Sequence, residues 1–499
     1  IMSSDWSSDV CSSDLLDLVY NENDGAVALI PSAIVSDIDT AVISAATLDI
    51  STNYVAGEDV LMFVDQLGLT GTYDPVTGVL TITGDASAAD YQTALRSITY
   101  TNPSDSPSEA VRKVRVSVDA GGQTSVVATM NITVQPVDDA PVIATPITDV
   151  NAAEDDPDDT VDLWAHFDEL DVRGVLYRFD TTQGVFDVDV WDANTPITAA
   201  NFDAYVQADL YDGSFIHRAA PDFVVQGGAF YFIENGNGVN DAGDLTGIPA
   251  FAPIADEPGI SNVWGTIAMA KTGAPDSATS SWFFNIDDNA SLDDPDPLTP
   301  GDEFTVFGRV MPGGMAVVEA IDALPKIDGR AVYGNSIVFQ HIPMDGYAGG
   351  VVDPATLVVF NAIEQVDELS FTVAGNTNPT LVAASIVGGQ LTLDYLPDQY
   401  GAADITIRAT DNGGQFVEDT FTVNVPNTPD NPNAVDDNAN VNEDGGAQAI
   451  DVLANDDSTP DPVQPLTITG VTQGTHGTVV ITGGGTGITY QPEIGRAHV

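Results

Sequence analysis

The sequence predicts a mostly β protein made of several domains. The chain has 499 residues, which is enough for three or four domains, and 43% of them are hydrophobic, which is enough for several cores. Short runs rich in Val, Ile and Thr alternate with polar residues, as in Val79–Thr83, Val114–Val118 and Phe421–Val425. Turn-forming Asp, Asn, Gly and Pro separate these runs. This spacing is typical of β-sandwiches.

The charge balance excludes two classes of partner. Lys and Arg number 13 against 75 Asp and Glu, for a formal net charge of −62. Nucleic-acid binding needs clustered basic residues, and so does docking on an anionic membrane surface. No run of 18 apolar residues occurs, so we expect no membrane insertion.

Both ends of the chain lack the pattern of a folded domain. Residues 1–16 contain a Ser-Ser-Asp stutter around Cys11, and residues 493–499 follow directly after a strand pattern. We expect both ends to be non-native sequence, with any signal peptide lying upstream. Because Cys11 is the only cysteine, the rest of the chain has no disulfides and no cysteine-based zinc site.

Acidic openings and Asp-Pro linkers recur along the chain and indicate repeats. Asn21-Glu22-Asn23-Asp24 and Asn442-Glu443-Asp444-Gly445 open two segments, and residues 136–142 and 429–432 separate domains. At these positions the chain resembles the cadherin-like tandem repeats of large bacterial surface and secreted proteins. The resemblance implies a cadherin-like or immunoglobulin-like β-sandwich over residues 17–137 and a partial further repeat over residues 430–492.

A third repeat is predicted to be split. Residues 144–170 resemble the opening strands of one cadherin-like repeat, and residues 365–426 resemble its closing strands. The block between them differs in character: it has helical patterns and three of the five Trp residues. We therefore expect an inserted domain over residues 174–345. A plain tandem array of domains is the alternative.

The inserted block carries several motifs in a fixed order. Two strand patterns, Leu176–Phe179 and Val185–Val190, precede a helix predicted from Thr195 to about Ala208, which Thr195 or Thr198 could cap. Three motif-bearing stretches follow, at residues 211–228, 265–286 and 304–321. Together these resemble cyclophilins. The resemblance implies an eight-stranded antiparallel β-barrel with two helices and peptidyl-prolyl cis/trans isomerase activity, with no cofactor for catalysis.

The reaction explains which residue types such a site needs. Rotation about an X–Pro bond faces a barrier of roughly 18–20 kcal/mol from amide resonance. A site lowers this barrier by holding the proline ring in an apolar pocket and by directing a guanidinium at the prolyl nitrogen, where it hydrogen-bonds the lone pair as the bond twists. No nucleophile or metal is required.

The resemblance assigns these roles residue by residue. Arg218 takes the guanidinium role, Gln226 grips the substrate backbone, and the remaining residues form the pocket wall and the groove before proline. The implied catalytic residues are Arg218, Phe223, Gln226 and Phe283, and the implied substrate-binding residues are Val224, Ala270, Thr272, Leu292 and Phe304. Taken alone, an arginine is more often a surface residue and these aromatics are more often core. His217 is interpreted as structural, because the reaction transfers no proton.

Two departures from the family pattern bear on activity. Ser281 stands where the family usually has a Gln that helps to orient the arginine and the substrate, which predicts lower turnover. Ser291 stands where many eukaryotic members have a Trp linked to cyclosporin binding, which predicts weak cyclosporin sensitivity.

Calcium is the metal that an acidic cadherin-like chain suggests. The candidate ligands lie at the acidic openings and the first junction: Glu22, Asp24, Asp37, Asp39, Asp138, Asp139, Glu154 and Asp155. The alternative is that these acids only form turns and aid solubility.

Two functions from different classes remain open from the sequence. The first is an isomerase tethered on β-sandwich spacers, outside the cell or at its surface, that acts on proline-containing polypeptides. The second is a non-catalytic adhesin or matrix protein whose cyclophilin domain only binds proline-containing segments. The cadherin-like flanks favour cell-surface or matrix partners in either case.

Overall fold

The fold is taken from a computed structural model of the chain. It describes residues 9–10, 15–36, 42–108, 110–120, 122–234, 242–293, 303–333, 336–346, 353–443, 445–459, 461 and 464–493. Within these ranges, no helix has the length and apolar character to span a membrane. The chain divides into two compact units, residues 1–140 with 169–368 and residues 141–168 with 369–499.

The first part of unit one is a sandwich built on alternating strands. Its main sheet contains the strand Arg112–Ala120, in which alternate residues are buried. The helix Ala88–Arg96 begins at Ser87, whose hydroxyl and the Asp90 carboxylate form a reciprocal capping box. The main sheet runs in the order Leu18–Asn21, Ala128–Gln135, Arg112–Ala120, Ile43–Thr52, Val79–Ala86 and Thr70–Asp74, with Gln123–Thr124 paired to Arg112–Ala120; smaller sheets join Val27–Ala28, Thr99–Thr101 and Val60–Met62, and Asp9–Val10 with Val35–Ser36.

A buried ion pair ties this sandwich together. Asp59 is 1% exposed and accepts hydrogen bonds from Arg112 Nε at 3.0 Å and from the Tyr100 hydroxyl at 2.6 Å. Tyr100 lies on a strand of a smaller sheet and Arg112 on a strand of the main sheet, so Asp59 links the two sheets.

The second part of unit one is an eight-stranded antiparallel barrel. The strands follow in the order Arg218–Ala220, Val224–Gly227, Trp282–Asn285, Thr266–Met269, Val306–Val310, Gly184–Val190, Val175–Thr181 and Phe360–Gln365. The two ends of the sheet meet, because Ile216 N donates to Val358 O at 2.9 Å and Phe360 N donates to Ser214 O at 2.9 Å. These bonds close the sheet on itself and remove its free edges.

Two helices of about three turns cover the barrel. They are Pro196–Gln207 and Met315–Ala323, and a single turn, Arg330–Tyr333, follows. Short strand pairs Phe230–Phe232 with Leu245–Gly247 and Lys326–Ile327 with Ile342–Pro343 lie outside the main sheet, as do 3-10 turns at Ala242–Asp244, Ala290–Leu292, Ile337–Phe339 and Pro354–Thr356.

The cap of the first barrel helix differs from the sequence prediction. Thr195 is the N-cap residue, but its side chain makes no capping bond. The carboxylate of Glu257 accepts instead from Ile197 N at 3.1 Å and from Thr198 N at 2.8 Å. A distant acid therefore satisfies the free amides and complements the helix dipole, which a local sequence pattern could not reveal.

The barrel extends beyond the predicted boundary at residue 345. Phe360–Gln365 pairs with Val175–Thr181, and Phe360 is fully buried. Phe179 lies at the centre of the barrel core, with ring centroids of Phe360 at 6.0 Å and Trp282 at 5.3 Å. The predicted closing half of the split repeat, residues 365–426, correspondingly begins at Leu369–Asn376.

The barrel and the first sandwich belong to one unit and share buried polar contacts. Arg309 is 3% exposed, and its Nη2 donates to Ser106 Oγ at 2.7 Å and to Asp171 O at 2.9 Å. Arg173 Nε also donates to Ser106 Oγ, at 3.0 Å. Guanidinium groups of the barrel thus fasten a loop of the sandwich.

Unit two brings together two segments that are distant in sequence. Val150–Asn151 pairs with Phe416–Val425, and Asp159–Asp162 pairs with Gln390–Tyr395. The first sheet has the strand order Val150–Asn151, Phe416–Val425, Gly401–Asp411 and Leu369–Asn376, and the second has the order Asp159–Asp162, Gln390–Tyr395 and Val382–Val387. A two-stranded sheet joins Val142–Ile143 with Phe167–Asp168, and a 3-10 turn lies at Leu163–Ala165. The last sheet has the order Gln448–Ile450, Gly487–Pro492 and Gly477–Thr482.

Candidate active site

A row of side chains crosses one face of the barrel sheet. Arg218 pairs with Gln226, Gln226 with Phe283, and Phe283 with Ala268 across four neighbouring antiparallel strands. Because directly opposed residues on antiparallel strands point to the same face, the register brings a guanidinium, an amide and an aromatic ring side by side. The other face carries the barrel core.

An apolar cluster lies beside this row, at the position of the predicted pocket. Phe283 is 4% exposed, and its ring centroid is 5.7 Å from that of Phe304 in an edge-on arrangement. One hydrophobic cluster contains six of the predicted pocket and groove residues, together with four that the sequence did not single out: Val224, Phe283, Phe223, Ala270, Leu292 and Phe304, with Trp191, Ile260, Ala268 and Val306. The pocket is thus separate from the barrel core.

Hydrogen bonds to its backbone fix the turn that carries Phe223. Asp222 adopts a left-handed conformation with φ of 51°, which is uncommon for a residue with a side chain. The Phe223 carbonyl accepts from Asn289 Nδ2 at 2.9 Å and from Ile286 N at 3.1 Å. These bonds fix the ring of Phe223 at the edge of the pocket.

The guanidinium of Arg218 is half-buried and incompletely bonded. Its Nη1 donates to Gln226 Oε1 at 3.4 Å, and its Cζ lies 5.5 Å from the Phe223 ring centroid. The Nε atom is buried and has no hydrogen-bond partner. Burial lowers the pKa of Arg218, yet a guanidinium stays charged at neutral pH. A charged donor with spare capacity beside an apolar pocket can bond to an incoming ligand.

Ser281 takes part in this network in a way that the sequence did not indicate. Gln226 Nε2 donates to Ser281 Oγ at 3.3 Å, and that hydroxyl donates in turn to the carbonyl of Gly227 at 2.9 Å. Ser281 therefore positions Gln226 directly.

Two glycines allow the strand end after Gln226. A Cβ on Gly227 would lie 2.8 Å from the Trp282 ring, and Gly228 has φ of +72° with the Ser280 carbonyl 2.7 Å from its Cβ position. Only glycine fits at both positions, because the backbone passes directly over Trp282 and then turns.

His217 lies next to Arg218 in sequence but is buried away from solvent. Its side chain is 1% exposed, and its ring packs edge-on against Phe230 with centroids 5.2 Å apart. Burial, with a smaller contribution from the charge of Arg218, lowers the pKa of His217 to about 3. The ring is therefore neutral at physiological pH and packs as part of the structure.

The structure does not bring all the predicted groove residues together. Thr272 is exposed, and its side chain bonds to Ser277 Oγ at 2.8 Å in the same loop. Between Ala270 and Thr272, the buried Lys271 Nζ forms an ion pair with Asp256 at 2.7 Å and lies 5.7 Å from the Phe304 ring. No short motif could have predicted this pair, because its two members lie in different loops.

The predicted calcium ligands separate into several environments. Glu22 and Asp139 lie together with Asp171, a residue that the sequence did not single out, and Asp155 lies with Asp398 and Asp430. Asp24 accepts from Asn21 Nδ2 at 3.0 Å, and Glu154 accepts from Thr428 N at 2.8 Å. Asp138 directly precedes Asp139, whereas Asp37 and Asp39 fall outside the described residues.

Comparison with known proteins agrees with this geometry. The family described as cyclophilin type peptidyl-prolyl cis-trans isomerase matches residues 176–340, and the bacterial Ig domain family matches residues 429–497. A peptidyl-prolyl cis-trans isomerase of Acinetobacter baylyi is 35% identical over 174 residues, which are 34% of this chain and 81% of the relative. The isomerase cyp18 of Streptomyces antibioticus is 38% identical over 155 residues, which are 31% of this chain and 86% of the relative.

A solved cyclophilin-type isomerase of Cryptosporidium parvum aligns over 39% of this chain and 98% of its own, with 17% identity and a TM-score of 0.27. The two bacterial relatives are covered over most of their length at more than 30% identity, and the family match spans the barrel and its pocket. The chain belongs to the cyclophilin-type peptidyl-prolyl cis-trans isomerases, and it carries this enzyme together with an immunoglobulin-like domain.

Proposed function

We propose that X–Pro segments bind in the pocket beside Phe283 and that Arg218 is the residue that lowers the rotation barrier. The observation that carries this proposal is the row of Arg218, Gln226 and Phe283 on one face of the sheet. It places a charged donor next to an apolar wall that suits a proline ring. Phe223, Val224, Leu292 and Phe304 complete the wall, and Ala270 borders the groove for residues before proline.

The role of Arg218 follows from how charge moves during rotation. As the amide twists, the prolyl nitrogen loses conjugation and its lone pair becomes available to a hydrogen-bond donor. A guanidinium that is already half-buried and fixed by Gln226 bonds more strongly to this lone pair than to the planar ground state. Meanwhile Gln226, positioned by Ser281, holds the substrate backbone so that only one side of the bond turns.

The test is a protease-coupled isomerisation assay on an X-Pro peptide with the full chain. We expect Arg218→Ala to lower kcat/KM roughly 100- to 1,000-fold, the cost of removing one preorganised donor. Arg178→Ala is the matched control, because Arg178 is a barrel arginine paired with Asp187 at the surface, and it should retain full activity. Unchanged turnover in Arg218→Ala would refute the assigned role.

We further propose that the enzyme works outside the cell or at its surface, on proline-containing segments of extracellular proteins. Two features support this location: the formal charge of −62 and the bacterial Ig domain match at residues 429–497. The isomerase is inserted in a split sandwich, and the sandwiches act as spacers. Strand pairing between Val150–Asn151 and Phe416–Val425 supports the insertion.

Protease treatment of intact cells that express the natural gene tests the location. An antibody against the barrel should detect a protein that external protease removes, or one found in the medium. A signal that appears only after the cells are lysed would contradict the proposal, even if isomerase activity is normal.

A further inference from the structure

A buried ion pair lies beside the wall of the pocket. Lys271 Nζ is 2.7 Å from Asp256 Oδ2, and the two side chains are 2% and 8% exposed. The ammonium also lies 5.7 Å from the ring centroid of Phe304, which is within the range of a cation–π interaction. Phe304 in turn packs edge-on against Phe283, with ring centroids 5.7 Å apart. Only the ring of Phe304 therefore separates the ion pair from the aromatic side chain at the centre of the site.

Asp256 connects this lysine to the loop that follows it. The Oδ2 atom of Asp256 also accepts from Asp276 N at 2.9 Å, and Asp256 N donates to Asp276 Oδ1 at 2.9 Å. Asp276 adopts a left-handed conformation with φ of 53°, which is uncommon for a residue with a side chain. The reciprocal bonds therefore hold this turn, and Lys271 neutralises the buried carboxylate on which they depend.

The residue after Asp256 is attached to the opposite border of the pocket. Glu257 N donates to Thr305 Oγ1 at 2.9 Å, directly after Phe304 in the sequence. The Thr305 carbonyl accepts from Met269 N at 2.9 Å, at the start of the segment that carries Lys271. One loop thus joins the two chain segments that border the pocket, and the ion pair lies where the loop meets them.

Stability alone does not explain a charged pair at this position. Removing two charges from water has a large free-energy cost, and apolar side chains of similar volume are often equally stable. An apolar side chain at position 271 could fill the space. It could neither bond to Asp256 nor attract the face of the Phe304 ring, and both of these interactions have a defined direction.

We propose that Lys271 and Asp256 are positioning residues of the isomerase, which hold the Phe304 ring and the groove segment at Ala270 in the arrangement that accepts the substrate. This inference rests on the proposed role of the pocket as the site of the proline ring. The wall contacts the ring of proline whether the amide is planar or twisted, so the pair contributes to substrate binding and not to the height of the barrier. Loss of the pair therefore raises KM, whereas loss of Arg218 lowers kcat.

Kinetics of four variants of the full chain, with an X-Pro peptide as the substrate, test this role. Lys271→Met keeps the length of the side chain but leaves the Asp256 carboxylate buried without the ammonium, and Lys271→Arg keeps the charge. The double variant Lys271→Met, Asp256→Asn removes both charges and keeps an acceptor for Asp276 N, but it does not restore a cation over Phe304. Lys113→Met, at an exposed lysine of the first sandwich, is the matched control.

The expected result is a change in KM that does not follow stability. Lys271→Met should raise KM about three- to tenfold and leave kcat within about twofold of the unaltered value. Lys271→Arg should recover most of the lost affinity, and Lys113→Met should match the unaltered chain in both constants. In urea the double variant should keep its activity to a higher midpoint than Lys271→Met, because it has no unpaired buried charge, but its KM should stay raised.

Two results would overturn the positioning role. The first is an unchanged KM in Lys271→Met, and the second is a KM in the double variant that returns to the unaltered value, because the pair would then contribute to stability alone. The double variant also decides the question if Lys271→Met does not fold. Neither result bears on Arg218→Ala, so the proposed function is tested separately.

Discussion

Phe360 lies in the last barrel strand, beyond the domain boundary predicted at residue 345. Replacing it should nevertheless destabilise the isomerase domain. Phe360 is 0% exposed, and its ring centroid lies 5.4 Å from Trp282 and 6.0 Å from Phe179. Truncating such a ring removes its burial and leaves a cavity, so Phe360→Ala should lower the free energy of unfolding by about 3–5 kcal/mol. Phe360→Leu keeps most of the volume and should cost less than about 1.5 kcal/mol.

Urea unfolding followed by residual isomerase activity measures this effect in the full chain, because activity reports on the barrel alone. With a slope of roughly 2 kcal/mol per molar urea, Phe360→Ala should move the midpoint down by about 1.5–2.5 M. Asn361 lies on the same strand as Phe360. Asn361→Ala removes one exposed hydrogen bond to Asp180 and should leave the midpoint nearly unchanged. If the alanine variant kept its midpoint within the error of the control, the strand would not be part of the folded barrel.

Three further outcomes are expected. The pKa of His217 is about 3 in the folded state and about 6.5 in the unfolded state. The free energy of unfolding of the barrel should therefore be greatest above about pH 6.5 and should decrease as the pH drops toward 3, by about 2 kcal/mol at pH 5. His217→Gln should reduce that decrease in urea unfolding curves. Ser281→Ala removes the acceptor for Gln226 and should lower kcat/KM about two- to tenfold, whereas an unchanged value would mean that Gln226 needs no support. Asp59→Asn removes the closer of the two carboxylates paired with the buried Arg112 and should cost the first sandwich about 3 kcal/mol in calorimetric melts while isomerase activity at 25 °C persists; an unaltered melt would contradict this.

Dense local motifs made the barrel predictable from sequence. The run from His217 to Gly228 combines a guanidinium, an apolar pair and a glycine-limited turn within a dozen residues, and each residue type has a physical reason to be there. The prediction of a mostly β protein with a cyclophilin barrel was therefore confirmed, as was peptidyl-prolyl isomerase activity. The individual roles of the site residues stay predictions.

Features that depend on distant pairing were missed. The strand Phe360–Gln365 carries no local motif that marks it as part of the barrel, and only its pairing with Val175–Thr181 assigns it there. Asp171 is one of 75 acidic residues, and nothing local distinguishes it from those that form turns. Glu257 as a helix cap is a similar case. In each case the partner is fixed by tertiary packing, which a linear pattern does not encode.

The split sandwich of unit two has a consequence for the order of folding. Its early strands pair with strands that are synthesised much later. Asp149 and Thr422, which are joined by a hydrogen bond, are 273 residues apart. Closing so long a loop would be slow if the intervening chain were unfolded. Tyr177 and Gln365 are paired neighbours, however, so a folded barrel draws the two ends of the intervening segment to within about 5 Å. When the barrel folds first, the long intervening segment acts as a short connection between the two halves of the split sandwich. The isomerase domain then helps the domain that contains it to fold.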